Sequence, residues 1–353
     1  MDLTARLADR PVFVTGADGF VGSHLVDTLL EHGADVHAFI RATSSGELQN
    51  LRHVGDQITV HRGDLRDAHS VRLALESLSD RSDILVFHLA AQAHVGESWE
   101  RPYETVDTNI KGTLNLLQAC VDLDLDIAKF DTAGTSEEYG NVDPEHEDNH
   151  DFEDDGRVIL SERSPVNPKS VYATTKLAAD FLTMNYYDAY DLPTVTTRMF
   201  NNYGPRQNPR YITGTIITQA LEREIVELGN LTPKRDLCYV ADGVRGHLHV
   251  ALEGSPGEQY VYGHGENISM RDWTKMILEV GSEHGYWDNP EIVQDEERFR
   301  PGDSDVEELL VGYEKLHNKT GWEPEVSWRE GVRRTIHWYA NHKRDWYGRV
   351  DWR

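Results

Sequence analysis

The 353-residue sequence predicts an α/β protein: a doubly wound parallel sheet followed by a smaller, mixed C-terminal lobe. Three observations carry that expectation. Short apolar runs alternate with longer amphipathic segments from residue 11 onward, a glycine-rich turn joins the first run to the first amphipathic segment, and the alternation loosens after Gly204. Strands regularly separated by helices imply crossover connections, and these make the strands parallel.

The elements follow in order. PVFVTG opens the sheet, VGSHLVDTLLEHG forms the first helix, and ADVHAFIR, QITVHRGD and DILVFHLAA supply the next three strands. TNIKGTLNLLQACVDL is amphipathic, and IAKFDTAG and PTVTTRMFN are further strand candidates. Between Gly140 and Pro165 the pattern stops. There EHEDNHDFEDD reads as a solvated acidic loop, with a cation held by His146 and His150 as the less favoured reading.

Charge excludes some partners. The chain has 61 acidic and 35 basic residues, a formal net charge of −26, which repels duplex nucleic acid and anionic membrane. Of the basic residues, 26 are arginine and nine lysine, a bias that fits a high-salt host or simply an acidic soluble protein. Cys120 and Cys238 stand far apart without metal-ligand spacing, so neither a disulfide framework nor a metal site is expected. No basic segment leads into an apolar stretch at the N-terminus, and no apolar run approaches the roughly 18 residues of a membrane span. The expected location is cytoplasmic.

TGADGFVGSHL, Thr15 to Leu25, follows a predicted strand and opens a predicted helix. Gly16, Gly19 and Gly22 in this context permit a tight turn, close approach of backbone to a pyrophosphate, and close packing of helix on strand. The N–H groups of Phe20, Val21 and Gly22 then face the anion at the helix N-terminus. A Rossmann-type dinucleotide domain over 1–203 is expected, with a substrate lobe over 204–353 and an interleaved boundary, because PTVTTRMFN can return to the first sheet. At the end of the second strand Arg41, followed by Thr43, Ser44 and Ser45, suits a 2′-phosphate and favours NADP; if Arg41 is only a surface cation, the cofactor is NAD. Asp64 and Leu65 are expected at the adenine ring, and Leu89, Ala90 and Ala91 beside the nicotinamide ribose.

YATTK, residues 172 to 176, places Tyr172 and Lys176 on one helical face. An ammonium near a phenol can lower its pKa, so the pair can act as a base near neutral pH. The hydroxyl-rich TSEEYG, residues 135 to 140, follows a predicted strand between the glycine turn and this pair.

These motifs together resemble the extended short-chain dehydrogenase/reductases that act on nucleotide sugars, over nearly the whole chain. RMFNNYGPRQ looks like the sugar-phosphate segment, VELGNLTPKRDLCYVAD the nucleotide-binding strand and loop, and TGWEP the C-terminal motif. The nearest resemblance is to the sugar 4,6-dehydratases, both the GDP-mannose and the UDP-N-acetylglucosamine types. It implies that Tyr172 takes the 4-OH proton with help from Thr135, that Lys176 orients the nicotinamide ribose, that Glu137 removes the C5 proton and that Ser136 assists the departing 6-hydroxyl. It also implies substrate contacts from Asn201, Asn202, Arg206, Leu228, Asn230, Arg235 and Arg300, and a homodimer through helices near 105–122 and 170–190. Val171 and Gly134 depart from the pattern, which has proline and serine there. Glu138, where an apolar residue is usual, reads as structural. A UDP-glucuronate decarboxylase, a C4 epimerase and a catalytically silent cofactor-binding sensor are the competing expectations; Glu137 argues against the epimerase, which needs no C5 base.

Overall fold

The computed structural model describes residues 1–43, 45–141, 151–152, 156–296 and 306–350. Arg300, Ser44 and the cation reading of His146 and His150 therefore lie outside the described residues.

The strands in chain order are β1 (Pro11–Thr15), β2 (Asp35–Arg41), β3 (Thr59–Gly63), β4 (Ile84–His88), β5 (Ile127–Ala133), β6 (Asp151–Phe152), β7 (Val158–Ile159), β8 (Thr194–Met199), β9 (Asn201–Tyr203), β10 (Ile225–Leu228), β11 (Lys234–Tyr239), β12 (Glu258–Tyr262), β13 (Asn267–Ser269) and β14 (Glu291–Gln294). Seven form one sheet in the order β12-β8-β5-β4-β1-β2-β3, parallel throughout. Its central strands are buried along their whole length, as β-branched and aromatic runs covered on both faces require. Strand order reverses between β1 and β4. A crevice opens there at the carboxyl ends of the strands, and the glycine turn sits at its edge.

The chain crosses between layers more than once. β12 and the helix Val240–Glu253, both beyond residue 204, belong to the sheet side, where Val244 and Leu248 pack with Val14, Val36 and Phe87. The other layer holds β9-β11-β13 and β10-β14. Its separate core is aromatic, with Trp273, Tyr203, Tyr239, Tyr339 and Trp346 packed among aliphatic residues.

Candidate active site

The glycine turn is shaped by contacts that exclude side chains. Gly16 has φ +68°, and a Cβ there would lie 2.9 Å from the Ala90 backbone; one at Gly22 would lie 2.2 Å from the Gly16 carbonyl oxygen. Helix Phe20–Glu31 starts at Gly19 with no side chain capping its first turn. This leaves a cradle of backbone fit for a pyrophosphate. Asp18, which the sequence reading passed over, accepts the backbone N–H groups of Gln49, Asn50 and Leu51 at 2.7, 2.7 and 3.0 Å, tying the segment after β2 to the turn.

Across the crevice, the 89–91 segment is fixed by a hydrogen-bond chain. Ala90 N–H donates to Thr15 Oγ1 (3.2 Å), and Thr15 Oγ1 meets His88 Nδ1 at 2.8 Å. His88 Nε2 meets Thr113 Oγ1 at 2.9 Å, and that hydroxyl donates to the Asn109 carbonyl at 2.6 Å. Each hydroxyl has only one proton, so Nε2 carries the imidazole proton and Nδ1 accepts. Burial and the Lys176 charge push His88 down to about 3, so the ring stays neutral. Asn109 stands in the π-helical turn Asp107–Lys111; it receives Gln92 N–H at 2.8 Å and donates to Thr175 at 2.9 Å, connecting the fourth strand's loop to the tyrosine helix. Its only sequence signal was its place in TNIKGT.

TSEEYG forms a short 3-10 turn, Ser136–Glu138, closed by a capping box: Glu137 N–H donates to Thr135 Oγ1 (3.3 Å) and Thr135 N–H to Glu138 Oε1 (2.9 Å). The opposite wall is helix Val171–Tyr190, started by Ser170, whose hydroxyl accepts Ala173 N–H at 3.0 Å. The fold brings Thr135, Ser136, Glu137, Tyr172 and Lys176 together, all buried. Thr135 hydrogen-bonds the Tyr172 phenol, and Glu137 and Glu138 act on it electrostatically.

In the chain alone, the expected lowering of the phenol by Lys176 does not occur. Burial pushes Tyr172 upward, Tyr211, Glu137 and Glu138 add to it, and the Thr135 hydrogen bond opposes. Lys176 is itself pushed down by burial, against the pull of Asp180, Glu138 and Asp131. Tyr211 is the third residue missed by sequence reasoning, after Asp18 and Asn109. It bonds the Ala93 carbonyl (3.1 Å) from the start of helix Ile212–Glu222, and so brings the second layer over the tyrosine.

The remaining expected residues are dispersed. Arg41 is two-thirds exposed and 3.3 Å from Glu104. Arg66 chelates Asp64 at 2.6 Å, and Leu65 is buried. Arg206, at φ +67°, pairs with Asp27 of the first long helix at 2.7 Å. Arg235 is buried and donates to the Lys234 carbonyl, Leu228 is in the second core, and Asn230 accepts from Thr232 in its own loop. Asn201 and Asn202 lie on β9, each with a buried side-chain oxygen lacking a donor.

A glycine cradle at the sheet's switch point, facing a Thr–Tyr–Lys cluster, defines an extended short-chain dehydrogenase/reductase. The chain belongs to the GDP-mannose 4,6 dehydratase family, whose model matches residues 13–335. It is 34% identical over 335 residues to the low-salt glycan biosynthesis protein Agl12 of Haloferax volcanii, covering 93% of this chain and 98% of that one. It is 31% identical to the mouse dTDP-D-glucose 4,6-dehydratase, covering 96% and 90%. A double mutant of the Streptomyces venezuelae dTDP-glucose 4,6-dehydratase DesIV, solved with NAD and DAU bound, superposes with TM-score 0.82 at 27% identity over 96% of this chain and 99% of that one. The protein is a nucleotide-sugar 4,6-dehydratase dependent on NAD(P). Among the described residues no helix is long and apolar enough to cross a membrane.

Proposed function

We propose that the clustered residues divide one reaction among them: oxidation at C4 of a nucleotide-diphosphate hexose, loss of water across C5 and C6, and reduction at C6. A bound nicotinamide would accept hydride from C4, return it to C6, and bring positive charge against the Tyr172 phenol. Tyr172 takes the proton of the 4-OH, with Thr135 sharing the hydrogen bond and Lys176 orienting the ribose. The resulting 4-ketone acidifies C5, and Glu137 removes that proton while Ser136 hydrogen-bonds the departing 6-hydroxyl. Two protons are taken, by Tyr172 and Glu137, and two are returned, one to the hydroxyl leaving as water and one to C5. The observation that carries this reading is Glu137 itself. The residue is 7% exposed, on a capped turn, and its charge acts on the Tyr172 phenol, so it is no solvated loop acid.

The finer assignments are ours. Residues 1–203 hold the cofactor through the glycine turn, Asp64, Leu65 and the 89–91 segment; residues 204–353, with Asn201, Asn202, Arg206, Leu228, Asn230, Arg235 and Arg300, serve the nucleotide sugar. NADP is favoured through Arg41, Thr43 and Ser45; if Arg41→Ala weakens NADP and NAD equally, that preference falls. A homodimer is supported by the exposed Tyr103, Val106, Leu114, Phe181 and Tyr190 on the two paired helical segments; sedimentation as a monomer at working salt overturns it. The charge balance supports a cytoplasm of high salt, in which thermal stability rises with added KCl.

The deciding experiment incubates the protein with UDP-, GDP-, dTDP- and CDP-hexoses and weighs the products. Loss of one water from one of them is expected. Loss of carbon dioxide from a uronate, or an unchanged mass, indicates decarboxylation or epimerisation instead. Glu137→Gln should lower turnover by about 10²- to 10⁴-fold while reduction of the bound cofactor by substrate persists.

A further inference from the structure

The reaction uses Glu137 and leaves Glu138, its fully buried neighbour, without a task. Glu138 Oε2 lies 2.7 Å from Arg198 Nε, but that nitrogen's one proton is donated to Asp180 Oδ2 at 3.0 Å. Two fully buried carboxyl groups thus converge on one guanidinium. Glu138 Oε2 and Asp180 Oδ1 are left as buried acceptors with no donor. A single proton between the two carboxyl groups supplies what both oxygens lack, and two buried carboxylates in contact do not both ionise. Burial, reinforced by Asp180, pushes Glu138 well above the usual carboxylate range. The site is also built for it at residue 134. A Cβ on Gly134 would lie 2.9 Å from Glu138 Oε1 and 3.1 Å from Asp180 Oδ1, so the glycine in AGTSEEYG leaves the room that the carboxyl pair fills.

The cluster forms the floor of the active site. Lys176 faces it from the same helix as Asp180, Arg198 from β8, Asp131 with its partner His247 from β5 and helix Val240–Glu253, and Gln259 from β12. Tyr139 lies against the Arg198 guanidinium, and Tyr172 stands above, sensing Glu138.

We propose that Glu138 and Asp180 share one proton across Arg198 and that Glu138 is thereby a positioning residue, setting the charge beneath Lys176 and Tyr172. The positioning role rests on the reading of Tyr172 and Lys176 as the oxidising pair; the shared proton does not. With one proton the pair is a single negative charge. If the pair loses that proton as pH rises, its second charge raises the proton affinity of Tyr172 and holds Lys176 more firmly protonated.

Two variants of the full chain, Glu138→Gln and Glu138→Leu, test this. The amide mimics the neutral acid, still accepts Thr135 N–H and can donate to Asp180, whereas leucine can do neither. The infrared spectrum of the wild type at neutral pH should show a protonated carboxylic acid that is absent from Glu138→Gln. With the hexose nucleotide that the wild type dehydrates, Glu138→Gln should keep turnover within about threefold and Glu138→Leu should lose about tenfold or more. The alkaline limb of the kcat–pH profile should move to lower pH in Glu138→Gln, because the second charge can no longer form beneath Lys176 and hold it protonated. Absence of the acid band overturns the shared proton; equal losses in both variants, or an unmoved alkaline limb, overturn the positioning role. A wild type that dehydrates no hexose nucleotide defeats the functional reading, and the positioning role with it, while the band still decides the proton.

Discussion

The proposed cofactor side and the proposed substrate side of the crevice are made of different materials. On the first, geometry resides in backbone: Gly16 at positive φ, Gly22 against a carbonyl, and a helix start at Gly19 without a side-chain cap. On the second, side chains do the holding, through the aromatic core around Trp273 and ion pairs such as Arg206–Asp27. Backbone geometry tolerates no added atom, whereas side-chain networks can lose a member and relax. Substitutions on the two sides should therefore fail differently.

The largest effect is expected where no relaxation is possible. Gly22→Ala places a methyl group 2.2 Å from the Gly16 oxygen, so the turn must open. Cofactor affinity should fall beyond detection in a titration of the purified protein, with circular dichroism still reporting a folded sheet. Retention of wild-type affinity would show that the cradle is not the cofactor's site.

On the substrate side, Trp273→Ala removes a fully buried ring that stacks edge-on against Tyr203 at 4.8 Å and donates to Thr213 at 3.1 Å. A loss of about 3–5 kcal/mol in denaturant unfolding is expected, with cofactor affinity retained in the fraction that remains folded. If affinity disappears together with the substrate-lobe signal, the two sides form one cooperative unit and the contrast between them is wrong.

The same contrast explains what could be read from sequence. The glycine turn, YATTK and TSEEYG were legible because each is a local pattern whose chemistry follows from spacing along one strand or helix. Asn109, Asp18 and Tyr211 were not, since their roles come from distant partners: Thr175, the backbone at 49–51 and the Ala93 carbonyl. Glu138 looked structural because nothing local shows that Asp180 and Arg198 meet it. Gly134 looked like an isolated departure for the same reason, although the two positions fit each other. The arginines of the substrate lobe were legible as residues but not as contacts: Arg206 is turned to Asp27 on the cofactor side's helix.

That helix joins the two sides, and its pairs give smaller effects. Asp27 is ion-paired with Arg206 (2.7 Å) and accepts from His53 (2.8 Å) at partly exposed positions, so Asp27→Asn should lower stability by only about 1 kcal/mol, measured by denaturant midpoint. One turn earlier, His24 Nε2 donates to the Pro205 carbonyl at 2.9 Å. Burial pushes His24 from 6.5 down to about 4, with the Arg206 charge also lowering it. A histidine depressed in the folded state contributes stability that is complete above the unfolded value of about 6.5 and is lost as pH falls through the folded value. Acidification from about pH 6.5 to 4 should therefore weaken the junction, by at most about 3 kcal/mol from this group. His61, also lowered to about 4, and His88, to about 3, act in the same direction, so the wild-type slope is a sum. His24→Gln keeps a donor for the Pro205 carbonyl and should remove one histidine's share, leaving a shallower fall of melting temperature over that interval. An unchanged slope would mean that His24 is already charged in the fold, and that the join between the two sides is looser than its hydrogen bond implies.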